Sequence, residues 1–498
     1  IRLSLVGSEM CIRDRRQQLD DLTLPAAPWV EPRTVDGQAV LDVLIVGAGM
    51  CGLSASAALR FLGIDRQRIV DRAPQGQEGP WVTYARMETL RSPKSLTGPA
   101  LDIPALTFRA WHRARFGEAA WAAVDKIPRT MWMDYLRWYR HALDIPVENG
   151  VALLGLEPQA GGLVCARLSG PGGEERVLAR HVVLANGRDG LGGKFIPANV
   201  QRLPQALWAH TSDDIDFAAL RGKAVAVIGA GASAMDNAAT ALENGAARVD
   251  LFIRRADIPR INKLTGVSNP GLVHGYQELE EAWKLRVMHY SLDSGPPPPR
   301  ASVLRVSRHP NAFFHLDSPL LTLEPADGQV RIVTPKGEYR ADLLIAATGF
   351  SVDLAQRPEL ATIAPHIRRW IDRPGCEPGE SRHAEALGEL PDLGPGFEFQ
   401  NKGPLPLPGL DHVHCFNYAA ALSHGKVSGD VPAVSVGAKR LALAIAGTLF
   451  REDIVVQYAR MEAYDKAELA GDEWTDADAP ADAPAADNSN TATGARPA

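Results

Sequence analysis

Val43–Ala55 reads VLIVGAGMCGLSA, an apolar run that passes into Gly47-Ala48-Gly49-Met50-Cys51-Gly52 and then into helix-forming residues. Such a run is consistent with a buried strand, and the glycines punctuate its end. Gly47 permits a tight bend, Gly49 lets the backbone approach a pyrophosphate, and Gly52 lets helix and strand pack closely. The phosphates then meet the unpaired amides at the helix N-terminus, where Met50 and Cys51 stand. An acid that accepts from a ribose hydroxyl belongs at the end of the next strand. Asp71 closes RIVD there, 71 − 47 = 24 residues on, with Arg72 after it. Strand, glycines, helix and acid together predict a dinucleotide-binding unit, against a merely structural glycine turn.

Val225–Ala239 reads VAVIGAGASAMDNAA, a near copy. It carries Gly229, Gly231, Ser233 and Ala234, the small residue tolerated at the third position. The equivalent strand, VDLFIRR, ends differently. Arg254 and Arg255 stand where the first unit has its acid, 254 − 229 = 25 residues on. Guanidinium groups there suit a 2′-phosphate and predict NADPH; the alternative is a solvated Arg pair at a strand end. Asp250 falls inside the strand and is not expected to hold a ribose. Two dinucleotide sites in one chain suggest electron transfer between two cofactors. NADPH carries hydride, and a flavin accepts hydride and then activates oxygen, so the first unit is expected to hold FAD.

The 498 residues exceed one ordinary core, and a mean hydropathy of −0.12 with 22% charged residues is that of a globular chain. A net charge of −6 gives no general attraction to nucleic acid or to an anionic membrane. No apolar stretch reaches the ~18 residues a bilayer span requires, and RLALAIAGTLF, bracketed by charges, reads as a packed helix. The five cysteines are scattered without a Cys-x-x-Cys, which argues against a zinc ribbon or redox dithiol and fits a reducing, cytoplasmic setting. His309 and His315 lack a helical metal spacing, so no metal is assigned.

The predicted organisation is α/β, with two Rossmann-type domains and the NADPH domain inserted into a discontinuous FAD domain. Residues 1–15 contain SLVGSEMCIRDR, which looks like a translated sequencing adaptor, and 16–39 form an N-terminal arm. The FAD-binding domain takes 40–204 and 341–470, and the NADPH-binding domain 205–340. Residues 471–498, acidic and rich in Ala and Pro, are expected to be disordered.

Across about residues 40–460 the chain resembles the class B flavoprotein monooxygenases, the group of flavin-containing monooxygenases, Baeyer–Villiger monooxygenases and amine N-hydroxylases. The two glycine turns occur in that order. GPW (Gly79–Trp81) resembles the segment that places an aromatic, here Trp81, near the flavin. ANG (Ala185–Gly187) and ATGF (Ala347–Phe350, with Thr348 and Gly349) resemble the strand-to-glycine turns that link the two domains. LWAHTSDDIDF resembles the fingerprint before the second turn, lacking its Phe-x-Gly but keeping His210. Arg91 occupies an active-site Asn position in the run ending Ser92-Pro93-Lys94, a departure from the S/N-oxygenase pattern.

The resemblance implies that NADPH reduces FAD, that O2 adds as a (hydro)peroxyflavin, and that one oxygen atom enters a small organic substrate. It makes Arg91, then Lys94, candidate cations near the oxygenating group, and places Asn417 and His424 where the flavin pocket closes. The bland alternatives are a surface Arg and a structural His. An NADPH oxidase or dehydrogenase without oxygen transfer, or a non-catalytic FAD- and NADPH-binding regulator, would share these motifs.

Overall fold

The structure, a computed structural model, describes residues 15–376, 379 and 381–478. The adaptor-like reading of residues 1–14 and the disorder expected of 479–498 lie outside the described residues. The chain divides after Leu449 into a large unit and a second one beginning at Phe450.

In the large unit, the apolar run forms the strand Gln38–Val46, with Val43, Leu44 and Ile45 fully buried. It pairs in parallel with Gln67–Asp71 on one side and Gly173–Leu184 on the other. The path across this sheet is Glu148–Asn149, Gln67–Asp71, Gln38–Val46, Gly173–Leu184, Leu163–Gly170 and Ala152–Gln159. Val413–Cys415 adds in parallel to Gly173–Leu184, so a segment from the far end of the chain completes the first sheet. The helix Met50–Phe61 covers it with small residues, Ala55, Ala57 and Ala58 being buried. Small side chains let a helix lie close to a parallel sheet.

The second sheet is wholly parallel, in the order Ala312–His315, Arg248–Phe252, Ala224–Ile228, Leu343–Ala346, Trp208–His210. Apolar clusters lie around Val227 and Leu251 on one side and around Phe252 and Leu344 on the other. An antiparallel meander, Thr322–Ala326, Gln329–Thr334 and Gly337–Ala341, precedes its fourth strand. Because Leu343–Ala346 belongs to this second sheet, the second domain extends past residue 340, and the chain leaves it at Ala347–Gly349. The two crossings lie side by side: Gly192–Lys194 going out pairs with Phe350–Val352 coming back. Gly192 must be glycine here, since a Cβ would fall 2.0 Å from the Ser351 carbonyl oxygen.

The Trp-rich helix Arg129–Ala142 is core: Trp132, Tyr135 and Tyr139 are buried, with Trp132 and Tyr135 packed on Phe108 and Tyr139 on Tyr135. The Tyr135 and Tyr139 hydroxyls donate to the carbonyls of Leu106 and Pro99, so neither polar tip is orphaned. The helix Val434–Glu452 is long and apolar enough to cross a membrane by length and composition alone. Its Ala438, Leu441, Ala442 and Ile445 are instead buried in the main apolar cluster. The second unit carries the helix Ile454–Ala463, none of whose residues is buried.

Three buried imidazoles make this fold sensitive to acid. His181 Nδ1 lies 3.0 Å from His414 Nε2, and His414 Nδ1 donates to the Gly396 carbonyl. Burial depresses the pKa of His414 to about 4, that of His424 to about 3, and that of His181 well below its ordinary value. Unfolding frees each to protonate near pH 6.5, so below that pH the unfolded chain binds more protons than the native one. Stability contributed by neutral burial is complete above pH 6.5 and falls as pH drops toward 4. The slope is about 1.4 kcal/mol per pH unit per histidine, or about 4 for the three. Urea midpoints are therefore expected to fall sharply between pH 6.5 and pH 5; a flat profile over that interval would refute the neutral assignment.

Candidate functional site

The first glycine turn is shaped by contacts that exclude side chains at two of its glycines. Gly47 has φ +102°, and a Cβ there would lie 2.5 Å from the Ala185 carbonyl oxygen. At Gly52 it would lie 1.8 Å from the Gly47 carbonyl oxygen. Gly49 differs: a Cβ there would meet only Gly79, whose Cα lies 3.9 Å away in ordinary van der Waals contact, so nothing in the protein forbids a side chain at this glycine. Gly49 caps the helix Met50–Phe61 without any side-chain hydrogen bond, and no acid lies in the first turn. The helix therefore presents its amides to an anion.

Asp71 stands at the end of the neighbouring strand, where it accepts from the amides of Ala48 (2.7 Å) and Ala73 (2.8 Å). Each carboxylate oxygen keeps a further lone pair for a hydroxyl. Arg72 is 70% exposed and 3.6 Å from Asp189. A cavity of about 590 Å³ opens beside Ala48 and Gly49 and is walled by Arg137, Arg140 and His141 of the aromatic helix. Arg140 is neutralised there by buried Glu78, which also accepts from Asn149. Sequence reading missed this wall, because those side chains converge from three separate segments.

Trp81 packs edge-on to Trp132, and its carbonyl accepts from Arg129, which fixes the loop after Gly79. Met50 is buried beneath the turn. Cys51 donates to the Ser428 carbonyl at 3.3 Å, and burial pushes its thiol up to about 12, an inert thiol at neutral pH. Asn417 is buried: its amide donates to Asn186 (2.9 Å) and Leu184 and its oxygen accepts from Ala419. It thereby ties the ANG turn to the segment that ends at Ser428. The bond from Asn417 to Asn186 of the ANG turn, and the role of Ser428, are what sequence reading did not foresee.

The second turn repeats the geometry. Gly229 has φ +128° and its Cβ would meet the Ala347 carbonyl oxygen at 2.8 Å. Gly231 caps the helix Ala232–Glu243 with no side-chain bond, no acid in the first turn, and nothing within 4 Å of a built Cβ. Ala234 is fully buried against this turn and Ser233 is exposed on it. Beyond the strand end, Arg254 is exposed, whereas Arg255 donates to the Asp293 and Ser294 carbonyls. Asp250, inside the strand as expected, is occupied by Arg248 and His315. Thr348 donates to the Phe195 carbonyl, and the Gly349 carbonyl accepts from both Phe195 N–H and His210 Nε2. His210 thus braces the crossing between the two domains.

Two of the four candidate catalytic side chains are committed elsewhere. Lys94 donates to the carbonyls of Trp121, Ala122 and Val124, capping the end of the helix Glu118–Ala123. That corrects its reading as a catalytic cation: its ammonium completes a helix terminus. His424 is likewise structural. Its Nε2 donates to the Gly394 carbonyl, its Nδ1 faces Arg440 at 3.3 Å, and its ring stacks on Phe397 at 3.8 Å. Desolvation holds it neutral. Arg91 is exposed, its carbonyl accepts from Lys126, and its guanidinium has no carboxylate partner among the described residues.

Residues 44–284 match the pyridine nucleotide-disulphide oxidoreductase family. The chain is 41% identical over 460 residues to the FAD-dependent urate hydroxylase of Xanthomonas campestris pv. campestris, covering 92% of this chain and 96% of that protein. Among solved structures it resembles the ornithine N-hydroxylase of Kutzneria sp. 744, with a TM-score of 0.61 at 17% identity over 82% of this chain and 99% of that one. The L-lysine 6-monooxygenase of Pseudomonas syringae gives 0.61 and 17% over 83% and 99%. These likenesses establish the two-dinucleotide fold.

Proposed function

The chain belongs to the family of flavoprotein monooxygenases that includes the Xanthomonas urate hydroxylase, and from that premise we propose an FAD- and NADPH-dependent monooxygenase of urate or a closely related purine. The observation that carries this reading is the pair of uncapped, glycine-turned helix N-termini that each follow a parallel-paired strand, in a chain 41% identical over 92% of its length to a urate-hydroxylating relative.

Bound FAD supplies an electron-pair reservoir and oxygen activation. The chain's own residues hold and enclose it. The amides of Met50 and Cys51 bind the pyrophosphate, Asp71 accepts from the ribose, and Arg72 lies beside it. Trp81, braced by Trp132, and the Asn186–Asn417 pair wall the flavin end and limit water. On the second unit, the helix after Gly231 receives the nicotinamide dinucleotide's pyrophosphate and Arg254 selects its 2′-phosphate, with Arg255 anchoring the adjoining loop. Thr348 and Gly349 shape the passage between the two sites. Arg91, without a carboxylate partner among the described residues, is the candidate counter-charge for an anionic substrate.

The test is aerobic NADPH consumption by the FAD-loaded protein, with urate loss and H2O2 both quantified. The expected result is oxidation of NADPH stimulated by urate, with urate consumed in step and little peroxide. Full peroxide release without urate loss would make the protein an NADPH oxidase, and no NADPH consumption would make it a nucleotide-binding regulator.

A further inference from the structure

We propose that Arg382 joins Arg254 in a two-guanidinium site for the 2′-phosphate of NADPH, an assignment that rests on the reading of the second unit as an NADPH domain. Arg382 belongs to the returning part of the chain, far in sequence from the second glycine turn. Three contacts bring it there. Its guanidinium carbon stands 4.1 Å over the Phe195 ring, and Phe195 is bonded through both its N–H and its carbonyl to the Thr348–Gly349 turn. The adjoining Ala347 carbonyl is what a side chain at Gly229 would strike. The next residue, His383, bonds through Nδ1 to the Asp293 carboxylate at 2.7 Å, and the backbone carbonyl of that same Asp293 accepts from Arg255. The segment at Arg382 is therefore docked between the glycine-turn crossing and the loop that anchors the Arg pair.

The electrostatics of the cluster are those of a site waiting for an anion. Among the described residues neither Arg254 nor Arg382 has a carboxylate partner, whereas Arg305 and Arg331 each grip a glutamate with two nitrogens. Arg254 is close enough that its positive charge, after desolvation, helps to lower the Arg382 pKa. Two like charges held near each other repel, and a dianionic phosphate monoester would relieve that repulsion and accept from both. The position also names the ligand. The strand registers put Arg254 one residue past the place that Asp71 holds in the first unit, at the edge of where a dinucleotide's adenosine ribose lies.

Titration of the full-length FAD-loaded protein with adenosine 2′,5′-bisphosphate and with 5′-AMP separates the possibilities. Arg382→Ala is expected to weaken the bisphosphate about tenfold and to change 5′-AMP by less than about twofold. Arg382→Lys should recover part of the loss, and flavin absorbance and melting temperature should match the parent in both variants. If Arg382→Ala binds the bisphosphate as the parent does, or loses both ligands equally, Arg382 has no such role and the NADPH reading survives. If the parent itself shows no preference for the bisphosphate over 5′-AMP, the NADPH reading fails and this assignment with it.

Discussion

Gly49→Val is expected to give a folded protein that no longer retains flavin, while Gly52→Ala is expected to lose the fold itself. The two glycines stand three residues apart in one turn, yet they face different surroundings. At Gly52 a Cβ would sit 1.8 Å from the Gly47 carbonyl oxygen, inside the packing of strand against helix. No rotamer relieves a clash with backbone, and the expected cost is about 3 kcal/mol or more, a large share of a domain's net stability. Gly49 has φ −67°, an ordinary value for any residue, and the nearest atom to a Cβ is 3.9 Å away. An isopropyl group there packs against the Gly79 loop without a backbone clash and takes up space beside the helix N-terminus that a bound pyrophosphate would need. FAD affinity should drop roughly 100-fold, about 3 kcal/mol. Thermal melting of both apoproteins and flavin absorbance after gel filtration with excess FAD check the pair. A Gly49→Val protein as yellow as the parent would mean that the dinucleotide does not run through this space.

Such a contrast follows from coordinates, and the sequence carried only half of it. The strands, both glycine turns, Asp71 and the Arg pair were legible because each is local: a run of apolar residues, a bend only glycine accommodates, an acid one strand later. The insertion of one domain in the other was legible for the same reason, since ANG and ATGF mark where strands stop. The exact crossing was not. Leu343–Ala346 is as apolar as any strand of the first sheet, and nothing local says that it pairs with Ala224–Ile228.

Side-chain roles failed where partners are remote. Lys94 and His424 were read by residue type, as cation and imidazole. Their work is set by carbonyls of Trp121, Val124 and Gly394, each about 30 residues away and chemically anonymous in a sequence. Arg382 and Ser428 went unread for the converse reason, because nothing beside them in the chain marks what they meet in space.

Replacing Arg254 and Arg255 together by Ala is expected to raise the Michaelis constant for NADPH by roughly 100-fold while leaving that for NADH nearly unchanged. The two arginines differ in what they do. Arg254 is exposed and uncommitted, so its loss removes a direct charge-assisted contact to the phosphate. Arg255 spends its guanidinium on the Asp293 and Ser294 carbonyls, so its loss loosens the loop on which the segment carrying His383 is docked. The single variants should therefore separate: Arg254→Ala alone shows most of the discrimination against NADPH, and Arg255→Ala alone a smaller loss. An interaction between exposed charges is screened by salt, so the NADPH constant of the parent should rise with ionic strength, and that of the double variant should rise much less. NADH is the necessary comparator, because it lacks only the phosphate and uses the same glycine turn. Equal losses with both coenzymes would place the arginines in the general architecture of the second unit and leave the 2′-phosphate without a reader there.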